Sequence, residues 1–206
     1  WSVVRCPPHQ QGETFSLSPA SMPNHQEEYT LPLLGSHQVE NAAVSVALIE
    51  ELRTRGWRVE TGAISRGLQQ VQWPARCHLV PGDPPLLIDC AHNMASAKTL
   101  ASLLDERFGG VSPVIIFGAM QDKDIDGMMT ELMPKARLAI MTRADHPRAI
   151  MPQDLAARLM RSGECGGPVA VASDLEQALL QARREAPSLV LVTGSVALAG
   201  EALRAI

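Results

Sequence analysis

The sequence predicts an α/β protein: a doubly wound, mostly parallel sheet with helices on both faces, preceded by a shorter helical segment. Five apolar runs carry the prediction: Leu86-Leu87-Ile88, Val114-Ile115-Ile116-Phe117, Leu138-Ala139-Ile140-Met141, Val169-Ala170-Val171 and Leu189-Val190-Leu191-Val192. None alternates with polar residues, which suits strands covered on both faces. Amphipathic stretches separate them, and strands that alternate with helices form right-handed β-α-β units. Size agrees, since 206 residues at 46% apolar and 19% charged can bury one core and a second, smaller one.

Taken in order, the first thirty or so residues are rich in Pro, Gln, Ser and His. Their apolar snatches, Trp1 to Val4 and Phe15 to Leu17, are short enough only for brief strands or loop, so an irregular leader is expected. A helix then starts at Ser36 as N-cap, carries Ala43, Ala47, Leu48 and Leu52 at helical spacing, and stops at Gly56. A second runs over 61–70, capped by Thr61, with Ile64 and Leu68 on its apolar side. Trp73-Pro74 breaks it, because proline excludes helical geometry from the residue before it. His78-Leu79-Val80 is a short extra strand that can pair with Leu86 to Ile88 across the Pro81-Gly82-Asp83-Pro84 turn. Helices are predicted over 94–107, 124–133, 153–162, 174–185 and 196–205. The chain thus divides into residues 1–72, a linker at 73–77, and an α/β domain over 78–206.

Composition narrows the partners. The net charge of -4 and a pI near 5.9 come without a run of five like charges, so no nucleic-acid partner is expected. No apolar run approaches the roughly 18 to 20 residues that span a bilayer, and no signal segment opens the chain, so a cytoplasmic location is expected. Cys6, Cys77, Cys90 and Cys165 contain no C-x-x-C pair, which argues for reduced thiols over a zinc site or a disulfide framework.

In open parallel sheets ligands bind beyond the carboxyl ends of the strands, so polar clusters there are the candidates. The first strand ends in Asp89-Cys90-Ala91-His92-Asn93, the second in Gly118-Ala119-Met120-Gln121-Asp122-Lys123-Asp124, the third in Thr142-Arg143-Ala144-Asp145-His146-Pro147-Arg148, and the last in Thr193-Gly194-Ser195. Asp89 can accept from ribose hydroxyls and His92 can face a phosphate; equally, Asp89 can cap the next helix and His92 bond to backbone. Lys123 between Asp122 and Asp124 is either an oriented cation or a solvated turn. Gly194-Ser195 before a helix offers an anion free N–H groups, and is also how an ordinary N-cap looks. His37 and Asn41 neighbour each other on the first helix, but asparagine is a poor zinc ligand and no third ligand is near, so no metal site is expected. Arg76, just past the Trp73-Pro74 break, can reach a phosphate or can be an exposed linker charge. No G-x-x-x-x-G-K-[ST] occurs, and none of the three lysines (Lys98, Lys123, Lys135) lies in a glycine-rich loop.

The clusters occur in a telling order. Leu33-Leu34-Gly35-Ser36-His37-Gln38-Val39-Glu40-Asn41-Ala42-Ala43, Trp73-Pro74-Ala75-Arg76, Leu87-Ile88-Asp89-Cys90-Ala91-His92-Asn93, Asp122-Lys123-Asp124, Pro147-Arg148-Ala149 and Val192-Thr193-Gly194-Ser195 together resemble the distal half of folylpolyglutamate synthase and bifunctional dihydrofolate synthase, from about Leu31 onward. The Mur peptide ligases are the wider relatives. The resemblance implies a Rossmann-like carboxyl-terminal domain after the last part of an ATPase domain whose P-loop segment lies outside this chain. It implies an ATP-dependent ligase, using Mg2+, that activates a folate or dihydropteroate carboxylate as an acyl phosphate and joins it to L-glutamate. By itself the chain is then expected to be inactive. A Mur-type peptidoglycan-precursor ligase and a non-catalytic binding module are the alternatives.

Carried over by residue, the resemblance implies that Asn41 contacts adenine, Arg76 the phosphates, Asp89 the ribose or phosphate neighbourhood, His92 the phosphate or the incoming glutamate, and Ser195 glutamate. Arg76, Asp89 and His92 are the implied catalytic set. Ala75 and Cys90 stand where the family usually has glycine, and Met94 where it usually has proline. A side chain in place of glycine matters wherever the backbone needs positive φ.

Overall fold

The computed structural model describes residues 1–7, 12–20, 24 and 26–206. They form two compact units, Trp1–Trp73 and Pro74–Ile206.

In the first unit, β1 (Ser2–Arg5), β2 (Glu13–Ser18) and β3 (Glu27–Leu31) form an antiparallel meander in the order β1-β2-β3. The two apolar snatches read as brief strands or loop are strands, β1 and β2, and the leader expected to be irregular is corrected in that they join β3 in one sheet. β2 hides its nature because both its faces are covered, so polar Glu13, Ser16 and Ser18 are buried alongside Phe15 and Leu17. Glu13, 0% exposed, accepts the Gly35 N–H (2.8 Å) and an Arg5 guanidinium N–H (3.0 Å), which satisfies a buried carboxylate. Phe15 and Tyr29 are cross-strand partners with stacked rings.

Helix α1 (Ser36–Thr54) begins after Gly35 at φ 104, so the N-cap is Gly35 and not Ser36. Its buried face is Gln38, Val39, Ala42, Ala43 and Val46. The predicted apolar stripe is only half right, because Leu48 and Leu52 lie on the exposed side with Val44. Helix α2 (Ala63–Gln69) follows Gly62 in the left-handed region, two residues later than the expected Thr61 start.

The second unit holds a six-stranded sheet. Its elements are β4 (His78–Val80), β5 (Leu86–Ile88), α3 (Met94–Phe108), β6 (Val114–Phe117), α4 (Ile125–Leu132), β7 (Leu138–Met141), α5 (Pro152–Ser162), β8 (Val169–Val171), α6 (Leu175–Arg184), β9 (Val190–Thr193) and α7 (Val196–Arg204). Spatial order is β4-β5-β9-β6-β7-β8, parallel except that β4 pairs antiparallel with β5. The predicted α/β class and its doubly wound sheet hold, with most element ends within a residue or two. The central runs are buried throughout, so both faces are covered. Ala178, Ala182, Leu198, Ala199 and Ala202 of α6 and α7 pack on one face against Ile88, Ile116, Ile140 and Val192. The chain runs rightward through β5, β6, β7 and β8, then returns to insert β9 between β5 and β6. The reversal sends α6 to the face opposite the earlier crossovers.

Candidate active site

The parallel strands end together at one rim. Backbone hydrogen bonds carry the register past the strands: Asp89 N–H to Val192 O (3.0 Å), Gly118 N–H to Thr193 O (3.2 Å), Thr142 N–H to Phe117 O (2.9 Å) and Ala172 N–H to Met141 O (2.9 Å). The predicted clusters after β5, β9, β6 and β7 therefore share one edge. The strand-order reversal around β9 is where α/β sheets open a ligand crevice. Asp89 and His92 follow β5 and Ser195 follows β9, so the fold brings these three to adjacent positions at that reversal.

Asp89 is 7% exposed and its carboxylate is engaged by the protein itself. Oδ2 accepts the Cys77 N–H (2.8 Å) and the Cys77 thiol (3.3 Å), and Oδ1 accepts the Ala91 N–H (2.8 Å). The Cys90 N–H also donates to Ala75 O (2.9 Å). Arg76, half-buried, thus lies in a short segment bonded on both sides to the end of β5. Ala75 (φ 60) and Cys77 (φ 48) are both left-handed, a conformation that costs an L residue about 1–2 kcal/mol each. Glycine would carry neither cost, so Ala75 is a strained departure from the family pattern. Cys90 keeps a negative φ and needs no glycine.

Burial, with the Asp89 charge and hydrogen bond after it, pushes the Cys77 thiol well above the ordinary range; Cys90 is raised mainly by burial as well. Cys77 is the buried member of the four thiols, whereas Cys6, Cys90 and Cys165 are half-buried. A disulfide reagent at neutral pH should therefore label Cys6 and Cys165 of the folded chain promptly, Cys90 more slowly and Cys77 only on unfolding. Prompt labelling of all four would mean that the Asp89–Cys77 contact opens readily.

His92 is half-buried, and its Nδ1 lies 3.0 Å from Cys90 O. A carbonyl can only accept, so Nδ1 carries the proton and Nε2 is left for other chemistry. The following helix is capped by Asn93, not by Asp89: Asn93 Oδ1 accepts the Ser96 N–H (2.8 Å) and Ser96 Oγ accepts the Asn93 N–H (3.2 Å). Asn93→Ala should lower stability by about 1 kcal/mol, read as an earlier urea midpoint. Ser195 is 3% exposed and caps α7, its Oγ accepting the Leu198 N–H (3.2 Å). Asn41 belongs to the first unit, exposed on α1, with Nδ2 donating to Gln38 Oε1 (3.3 Å).

The Asp-Lys-Asp and Pro-Arg pieces meet. Asp122 pairs with Lys123 (3.1 Å) and Arg148 (3.5 Å), and Met120 bridges Ala149. Lys123, then a backbone N–H and Arg148, hold the Asp122 carboxyl below its usual range. Asp124 caps α4 through Gly127 N–H (3.0 Å). Two side chains that the sequence placed in the strand-end clusters without a role of their own also lie at the rim. Thr142 and Thr193 are fully buried, and neither hydroxyl has a hydrogen-bond partner among the described residues. Threonine at a strand end was the available signal. Strand propensity alone explains threonine there, so it gave no reason to look further. Among the described residues no group of three His, Cys, Asp or Glu could hold a metal ion.

Comparison with known proteins shows the family and the fold. Residues 75–196 match the family described as Mur ligase, glutamate ligase domain. A probable bifunctional folylpolyglutamate synthase/dihydropteroate synthase of Haloferax volcanii is 32% identical over 195 residues, covering 87% of this chain and 22% of its own length. The folylpolyglutamate synthase of Mycobacterium tuberculosis, solved with ADP and AMPPCP, superimposes with a TM-score of 0.81 at 27% identity, over 98% of this chain and 46% of that one. A bifunctional folylpolyglutamate synthase/dihydrofolate synthase of Yersinia pestis, solved with AMPPNP and a manganese ion, gives 0.72 at 27% identity, over 95% and 44%. This chain thus spans less than half the length of these relatives. With its ordered motifs, its reversed strand order and a family match over most of the second unit, the chain belongs to the Mur ligase family, as a glutamate ligase domain whose relatives are folylpolyglutamate synthases.

Proposed function

We propose that this chain is part of an ATP-dependent ligase that joins L-glutamate to the carboxylate of folate or dihydropteroate through an acyl phosphate. The observation that carries the reading is that the backbone on both sides of Arg76 is bonded to the end of β5, the strand that leads into His92, beside the strand-order reversal. The nucleotide complexes of the solved relatives support it.

Transfer of a phosphoryl group spreads negative charge over its oxygens, and the later amine attack builds charge on a tetrahedral centre. Both steps need fixed cationic and N–H donors more than a protein nucleophile. Arg76 supplies a planar, permanently charged donor to phosphate oxygens. His92, with Nδ1–H bonded to Cys90 O, leaves Nε2 to serve either step. As a neutral ring it takes a proton from the glutamate amine, and as a cation it donates to a phosphoryl oxygen. Ser195 and the N-terminus of α7 favour a carboxylate of glutamate. Asn41 reads adenine with its amide. No step runs through a metal ion held by these residues; Mg2+ enters with the triphosphate. The chain by itself is expected to give no turnover, because its 206 residues contain no triphosphate cradle of the P-loop type.

The test joins this chain to the amino-terminal portion that the relatives have and this chain does not span. The fusion is given ATP and L-glutamate with either folate, dihydropteroate or a nucleotide-linked muropeptide. Glutamylated folate or dihydrofolate, formed with one ADP per bond, is the expected product. Product from the muropeptide alone would replace this reading with a cell-wall ligase, and ATP binding without product from any acceptor would replace it with a binding module.

A further inference from the structure

We propose that His146 is a pH-sensitive latch between the loops after β6 and β7: its neutral ring holds them together at the rim, and its charged ring lets them part. The device works whichever ligand the rim takes. Residues 146–149 form a tight turn, closed by the Ala149 N–H donating to His146 O (2.9 Å), with Pro147 at the position where a fixed φ suits a turn. Inside that turn the Arg148 N–H donates to His146 Nδ1 (3.1 Å). A ring nitrogen that accepts carries no proton, so this bond exists only in the neutral ring with its proton on Nε2. Asparagine or aspartate is the common acceptor for a backbone N–H two residues on, and neither takes up a proton near neutral pH. Histidine is the side chain that does.

The turn is what joins the two loops. Arg148 O accepts the Gln121 N–H (3.0 Å), Ala119 O accepts the Ile150 N–H (3.0 Å), Met120 bridges Ala149, and the Arg148 guanidinium lies 3.5 Å from the Asp122 carboxylate. Every one of these contacts is made by residues 148–150, so the turn that places Arg148 places them all. When His146 takes a second proton, Nδ1–H meets the Arg148 N–H, donor against donor, and the bond is lost. The charged groups on the elements joined here are Arg143, Asp145 and Arg148 of the same loop, Asp122 and Lys123 of the β6 loop, and Glu201 of α7, whose Oε1 accepts the Asp145 N–H (2.8 Å). Cations and carboxylates are equal in number among them, so the bond to Arg148, more than the surrounding field, separates the two ring states. Acidification therefore frees Arg148 from its turn and loosens its hold on Gln121 and Asp122.

The experiment follows this chain by NMR from roughly pH 7.5 down to roughly pH 5.5, the range in which imidazole changes charge. Protection of the Arg148 and Gln121 amides against hydrogen exchange, relative to an unstructured chain at the same pH, is read beside the His146 ring signal. Both protections are expected to fall about fivefold in step with the ring, the weight of one hydrogen bond. In His146→Asn the acceptor stays and the titration goes, so protection should match the wild-type value at the upper pH and stay flat. In His146→Ala the acceptor is gone, and protection should be low throughout. Wild-type protection that ignores the ring charge, a His146→Asn chain that loses protection as the wild type does, or a His146→Ala chain protected like the wild type at the upper pH would each overturn the latch. Loss at Arg148 with Gln121 still protected would confine the ring to its own turn and overturn the joining of the loops.

Discussion

Gly194→Ala is expected to destabilise the second unit by about 3 kcal/mol or more, the sum of left-handed strain and overpacking. Gly194 has φ 109, and a Cβ there would lie 2.7 Å from Gly118 O and 2.9 Å and 3.0 Å from the Phe117 ring. Neither neighbour can retreat: Phe117 is fully buried in β6, and Gly118 O belongs to a backbone fixed between β9 and β7. Gly110 is the control, with φ 85 and nothing within 4 Å of a built Cβ, so Gly110→Ala should cost only about 1 kcal/mol of backbone strain. Urea unfolding followed by circular dichroism compares the two. Equal losses would show that the junction of β6 and β9 is looser than the contacts indicate.

Arg76→Ala should lower ligation by the fused protein about 100- to 1000-fold in kcat, the usual cost of removing one preorganised donor to developing charge. Arg76→Lys should recover only part of it, because an ammonium cannot reproduce a planar fork. A urea midpoint measured beside the kinetics separates lost chemistry from lost structure. A fall of less than about tenfold in kcat would remove Arg76 from the phosphate site.

The strands after residue 78 could be read at sight because each is apolar on both faces and bounded by helices of clear period. β3 could not, and β2 could be read only as brief strand or loop. Glu13, Ser16 and Ser18 read as loop polarity, and only a partner across the meander and the Gly35 N–H turn Glu13 into a buried residue. The exposed face of α1 failed for a related reason. Ala43, Leu48 and Leu52 recur at helical spacing, but Val39, Ala42 and Val46 recur too, and hydropathy does not choose between two apolar stripes. At the site, the motif order named several stretches of chain that the sheet brings to one rim. It left Ser195 open between an anion site and an N-cap, and could not tell that Thr142 and Thr193 are buried without partners among the described residues.

Sequence by itself determined the elements, their alternation and the stretches that meet at the rim, because helical and strand periods are set by residues only a few positions apart. Tertiary structure alone decided that β9 enters between β5 and β6, that Asp89 spends its carboxylate on Cys77, and that Ala75 and Cys77 are held at positive φ. Those outcomes depend on pairings between residues far apart in the chain, where the energy of packing and of satisfying buried polar groups outweighs any local preference.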